Sequence, residues 1–234
     1  KSHIEELCAL RMLQFKLPGI PSGGAVCTVC LYEFPEGFLV KLLYNLKHLS
    51  HLVFEVTDAC NLRCKYCGYA DLYEGYDKRE NLMFPFIRAK HIIDYLHALW
   101  KNHCVSEVVA PFTISFYGGE PLLNVPFIRQ VIEYVESLPP TGKKFHYNMT
   151  TNAILLNKHM DFLVKNRFHI LISLDGNEKA QGYRVDATGK NSFQRVFKNI
   201  KLLQEKYPER KLYTIDTKGI TILSNIIVFR FNYF

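Results

Sequence analysis

Three thiols stand within eight residues in Cys60-Asn-Leu-Arg-Cys64-Lys-Tyr-Cys67, close enough for one loop to wrap a single compact metal centre. The count of three is informative. A structural zinc site is closed by four protein ligands, whereas a cubane iron–sulfur cluster held by three thiolates keeps one iron open to a substrate or cofactor. A zinc site completed by Cys104 or a histidine is the alternative reading of the same loop, and any short motif carries a risk of coincidence.

What must position this loop is a repeated strand–helix pattern that begins near residue 51. Apolar alternation predicts strands over 52–57, 112–117, 144–151, 168–174 and 211–216. Helical periodicity covers 87–101, 127–137, 158–166 and 193–206, the last stopped at Pro208. The closing run 220–234 is a candidate sixth strand. Repeated βα units give a parallel sheet, either a barrel or an open doubly wound sheet. The fold expected is α/β, a partial (β/α) barrel of about six parallel strands with a less regular segment before it. In both architectures ligands bind at the carboxyl ends of the strands. The cysteine loop follows the first strand, Gly118-Gly119-Glu120-Pro121 ends the second, Thr150-Thr151-Asn152 the third and Ser173-Leu-Asp175-Gly176 the fourth.

CxxxCxxC with an aromatic before its last cysteine resembles the defining motif of the radical S-adenosylmethionine (SAM) superfamily, with Tyr66 at the aromatic position. The resemblance implies a [4Fe–4S] cluster on Cys60, Cys64 and Cys67 whose open iron binds SAM. Reductive cleavage of the sulfonium then gives methionine and a 5′-deoxyadenosyl radical that abstracts a substrate hydrogen, chemistry that a cofactor supplies and a fold positions. Gly118, Gly119 and Glu120 resemble the family segment whose backbone accepts hydrogen bonds from the SAM ammonium, and glycine is apt because a backbone without Cβ admits close approach. Thr150-Thr151-Asn152 resembles a TTNG-type segment, with Ala153 where glycine is usual. Asn152 either lines the site or caps the following helix. Ser173 and Asp175 resemble residues flanking the SAM ribose and carboxylate, although Asp-Gly is also a plain tight turn. Arg184 matches an arginine able to pair the SAM carboxylate through its planar fork, the alternative being a solvated side chain.

Residues 51–205 are most similar to the peptide- and protein-modifying branch, which includes anaerobic sulfatase maturases and peptide maturases. That implies a peptide or protein substrate and a reductant protein such as flavodoxin or ferredoxin. Such enzymes usually continue into an extension carrying further cysteines, yet no cysteine follows Cys104 and the chain ends in an apolar aromatic run. The expected organisation is an N-terminal segment over 1–50, possible in position as a leader-peptide-binding element, and a radical SAM core over 51–234 truncated at its C-terminus. A radical SAM enzyme acting on a small molecule or nucleotide shares the same motifs and is the rival reading.

Composition bounds the rest. The 234 residues, 48% hydrophobic and 22% charged, can bury one sizeable core. No run of eighteen apolar residues and no signal-peptide profile is present, so a cytoplasmic location and no membrane partner are expected. The +7 charge is scattered, without a basic–aromatic stripe, and nucleic acid is not an expected partner. Seven cysteines without a signal argue for reduced thiols or metal ligation rather than a disulfide framework. Cys27 and Cys30 lack a redox-motif context and are read as structural, Cys8 and Cys104 as small buried hydrophobes. The Ile92, Ile93, Leu96, Leu99 stripe is read as a helix core face.

Overall fold

The computed structural model describes residues 46–67, 79–103, 110–209 and 213–215. The N-terminal segment up to residue 45, with Cys8, Cys27 and Cys30, lies outside these residues, as do Cys104 and the expected sixth strand at 220–234.

Among the described residues, five parallel strands form one sheet in the order β1-β2-β3-β4-β5. They are β1 (His51–Thr57), β2 (Ala110–Gly118), β3 (Lys143–Thr151), β4 (His169–Ser173) and β5 (Tyr213–Ile215). Four helices connect them in turn: α1 (Phe86–His103), α2 (Val125–Ser137), α3 (Leu156–Lys165) and α4 (Phe193–Lys206). A doubly wound sheet reverses its strand order, but here every crossover steps one strand in the same direction. With the right-handed crossovers that such units adopt, all four helices fall on one face of the sheet. That is the winding of a barrel, continued here through five strands.

Burial agrees with a sheet covered on one side. A parallel sheet sandwiched between two helical layers would be apolar throughout, yet buried and more exposed positions alternate. Phe54, Phe112, Ile114, Phe116, Met149, Ile170 and Ile172 face the helices, while Val53, Glu55 and Tyr117 are exposed on the other face. Helix α1 buries Ala89, Ile93, Leu96 and Trp100, one face at helical spacing. Ile92 and Leu99 from the expected stripe flank that face and are half-buried. Helix α2 buries Ile128, Val131, Ile132 and Val135, and α4 buries Val196, Ile200 and Leu203. Edge-on aromatic contacts seal the layer, Trp100 against Phe112 at 4.6 Å and Phe127 against Phe54 at 5.8 Å.

A candidate radical SAM site at the carboxyl ends of the strands

The parallel register brings the expected site residues to one end of the sheet, where the cysteine loop leaves β1. Thr57 starts the turn: its buried hydroxyl accepts from Ala59 N and donates to the Leu82 carbonyl. Residues 79–84 return alongside and strap the loop. Glu80 N donates to Asp58 Oδ2 at 2.7 Å and Phe84 N to the Val56 carbonyl at 2.9 Å. On the far side Arg63 N donates to Val185 O at 2.6 Å and Lys65 N to Tyr183 O at 2.9 Å, so backbone holds the loop from both flanks.

The glycine pair is what lets this loop seat on β2. Gly119 N donates to Thr57 O and Glu120 N to Ala59 O, both at 2.8 Å. A Cβ on Gly118, whose φ is +134°, would lie 2.2 Å from Thr57 O, and one on Gly119 would lie 2.1 Å from Ala59 O. The close approach that demands glycine is therefore that of the chain's own cysteine loop. Sequence reasoning, which assigns the space to a ligand, misses this contact.

Glu120 is completely buried and ties β2 to β3. Its Oε1 accepts from the Thr151 hydroxyl at 2.6 Å and from Leu122 N at 3.1 Å, and its Oε2 accepts from Asn152 N at 2.8 Å. Burial pushes this carboxyl up to about 7, against the pull of the three donors. Glu120 thus acts as an internal staple, its carboxylate spent on the protein. Asn152 does not cap α3. Its Oδ1 accepts from Ile154 N in a tight Asx turn, and its Nδ2 donates to Asn61 Oδ1 at 2.8 Å and reaches Cys60 Sγ at 3.6 Å. The turn that follows puts Ala153 at φ 60°, which explains why a glycine suits that position.

A second group joins β4 to the loop. The Tyr66 hydroxyl donates to Asp175 Oδ2, and Arg184 Nε donates to Asp175 Oδ1 at 3.0 Å. The Arg184 guanidinium also lies over the Tyr66 ring, 5.2 Å from its centre. Burial, with the adjacent Asp175 carboxylate adding to it and Arg184 opposing, raises the Tyr66 phenol well above its ordinary range. Beneath them the fully buried Gln181 accepts from Asp175 N and donates to the Ser192 hydroxyl. Ser173 ends β4 half-buried, and no hydrogen bond joins its side chain to this group among the described residues.

The three thiols occupy the centre of this frame. Cys64 is buried and Cys60 and Cys67 are half-buried. Burial raises the Cys64 thiol to about 11, with the nearby Arg184 charge opposing, and raises Cys60 as well. The sulfurs are also met by donors: Leu62 N reaches Cys60 Sγ at 3.4 Å and Arg79 Nη2 reaches Cys67 Sγ at 2.8 Å. Among the described residues no three His, Cys, Asp or Glu side chains converge on a point able to hold one metal ion. A cluster does not need that convergence, because each thiolate takes a different iron. N–H donors to the half-buried Cys60 and Cys67 sulfurs are contacts that suit thiolate ligands of a cluster. Arg79, Asn61 and Gln181 are not singled out by the sequence, where they carry no spacing signal.

Residues 54–222 match the radical SAM superfamily. The chain belongs to that superfamily. Among curated relatives, a cysteine-type anaerobic sulfatase-maturating enzyme of Clostridium novyi is 32% identical over 177 residues, 74% of this chain and 45% of the relative. A GTP 3′,8-cyclase of Clostridium botulinum is 29% identical over 176 residues, 74% of this chain and 50% of the relative. A solved structure of native anSMEcpe, with AdoMet and a peptide bound, superposes with a TM-score of 0.55 at 23% identity, covering 72% of this chain and 43% of that one. The likeness shows a shared α/β fold. The chain spans about half the length of the curated relatives it matches. This radical SAM family is one that uses a [4Fe–4S] cluster and SAM. Among the described residues no helix is long and apolar enough to cross a membrane.

Proposed function

We propose that Cys60, Cys64 and Cys67 hold a [4Fe–4S] cluster and that this chain binds SAM beside it for post-translational modification of a peptide or protein. The observation that carries the reading is the seating of the three-thiol loop against Gly118, Gly119 and Glu120, with the β3 and β4 termini converging on it. The cluster and SAM together supply, when bound, a 5′-deoxyadenosyl radical able to abstract hydrogen from an unactivated carbon.

The protein's own residues supply placement. Glu120 ties the ends of β2 and β3 together and so holds the Gly118-Gly119 backbone against the cysteine loop. Asp175 orients Arg184 and Tyr66 on the opposite side, which suits them to a carboxylate and a flat aromatic base respectively. Asn152 links the Glu120 carboxylate to the cysteine loop through Asn61 and Cys60. Ser173 stands at the β4 terminus, where it could meet a ribose or carboxylate oxygen.

The 32% identity to a sulfatase-maturating enzyme supports the peptide substrate, and a reductant protein such as flavodoxin or ferredoxin would deliver the electron. A nucleotide substrate is the second reading, supported by the 29% identity to a GTP cyclase. Residues 1–50 are proposed as a leader-peptide-binding element preceding the core. Failure of that segment to retain a candidate precursor peptide in a pull-down would remove this part.

The deciding experiment is anaerobic reconstitution with iron and sulfide, dithionite reduction, and chromatographic detection of 5′-deoxyadenosine from SAM. Product is expected, and its yield should rise with a peptide rather than with a nucleotide. Stimulation by a nucleotide alone would favour the second reading, and no cluster at all would overturn the assignment.

A further inference from the structure

Two of the three thiol sulfurs accept hydrogen bonds from side chains that are not on the cysteine loop. Arg79 Nη2 lies 2.8 Å from Cys67 Sγ, and Asn152 Nδ2 lies 3.6 Å from Cys60 Sγ. Each side chain makes a second contact: Arg79 Nη1 reaches the Leu62 carbonyl of the cysteine loop at 3.4 Å, and Asn152 Oδ1 accepts from Ile154 N at 3.0 Å. Arg79 is half-buried at the head of the returning strap, so its charge is only partly screened by water.

We infer that Arg79 sets the reduction potential of the cluster by donating to the Cys67 sulfur, with Asn152 adding a smaller effect of the same sign at Cys60. The inference rests on the reading that the loop holds a cluster. One-electron reduction by an external reductant adds negative charge that spreads onto the thiolate sulfurs. A donor to those sulfurs stabilises the reduced form more than the oxidised one and raises the potential. A guanidinium does this more strongly than an amide because it carries a full charge at every working pH. Without Arg79 the buried sulfurs would make the cluster harder to reduce.

The test is an EPR-monitored potentiometric titration of reconstituted wild-type chain, Arg79→Met and Arg79→Lys, with iron and sulfide counted in each. Arg79→Met is expected to keep its cluster but show a reduced-to-oxidised ratio about tenfold lower at a fixed potential, a midpoint about 59 mV more negative for one electron. Arg79→Lys, which keeps the charge but not the fork, should fall between. A full cluster at the wild-type midpoint in Arg79→Met would overturn the inference. If Arg79→Met loses the cluster, Arg79→Gln takes its place. Loss from both neutral variants, with Arg79→Lys at the wild-type midpoint, would show that Arg79 only buckles the loop and would equally overturn it. Absence of a cluster from the wild-type chain would instead sink the underlying reading.

Discussion

A methyl group on Gly119 would lie 2.1 Å from the carbonyl oxygen of Ala59, the residue before the first cysteine. The second strand and the cysteine loop are therefore in contact through bare backbone. Gly119→Ala must push the loop off β2, and Gly118→Ala adds strain at φ +134° to a similar clash. Overpacking of this kind costs roughly 1–3 kcal/mol. Both variants are expected to lower the urea midpoint and to retain less iron after reconstitution. Gly189 is the control: its φ is +81° but nothing lies within 4 Å of the position a Cβ would take. Gly189→Ala should cost only about 1 kcal/mol of backbone strain and keep wild-type iron content.

Ligand counting gives a second prediction. Replacing Cys60, Cys64 or Cys67 singly by Ala should reduce bound iron and sulfide to background and remove the visible absorption of the reconstituted chain. Cys104→Ala should leave both intact. Cluster loss in the Cys104 variant would mean that the ligand set has been assigned wrongly.

Much of this is legible in the sequence because periodicity reports what is buried. Helix α4 is expected over 193–206 and is found at Phe193–Lys206, and β1 to β5 fall within two residues of their expected positions at every end. Parallel pairing then brings motifs far apart in the chain to one end of the sheet, so Glu120, Asn152 and Asp175 can be placed beside the cysteines. What the sequence hides is which group each side chain serves. Glu120 and Asn152 satisfy protein donors and acceptors, and Asp175 is committed to Tyr66 and Arg184. Such pairings depend on angstrom-scale geometry between strand ends, which no spacing rule encodes. Arg79 and Gln181 are invisible for the same reason: Arg79 is one of four consecutive charged residues, Asp77 to Glu80, and Gln181 a single polar residue in an unpatterned stretch.

The buried Glu120 predicts a pH dependence with a definite sign. Its folded value, about 7, lies above its ordinary 4.5, so the folded chain binds this proton more tightly than the unfolded chain. The associated stability is fully present below pH 4.5 and is lost as pH rises through 7. The full difference corresponds to about 3 kcal/mol. Glu120→Gln cannot ionise, and its amide must face at least one of the three donors, so it is destabilising at low pH. That cost should shrink between pH 5 and pH 8 as ionisation penalises the wild type. Urea denaturation of both proteins at the two pH values tests it. An equal cost at both would show that Glu120 keeps the same ionisation state in the folded and unfolded chains.

Asp175 and Arg184 form a pair with 2% and 14% of their side chains exposed, so the loss of one partner strands the other away from water. Asp175→Ala leaves the guanidinium without its carboxylate and is expected to cost about 3 kcal/mol or more. Tyr66→Phe deletes only the hydroxyl that donates to Asp175 Oδ2, leaving the ion pair whole, and should cost about 2 kcal/mol. Asp175→Leu combined with Arg184→Met removes both charges together and should be less destabilising than the sum of the single changes. The backbone bonds from Arg63 and Lys65 to the 183–185 segment do not depend on these side chains. The cysteine loop should therefore stay seated in the double variant, with cluster content near wild type. Strict additivity of the two substitutions would show that the pair contributes nothing beyond its separate contacts, and the role assigned to Asp175 in orienting Arg184 would fall with it.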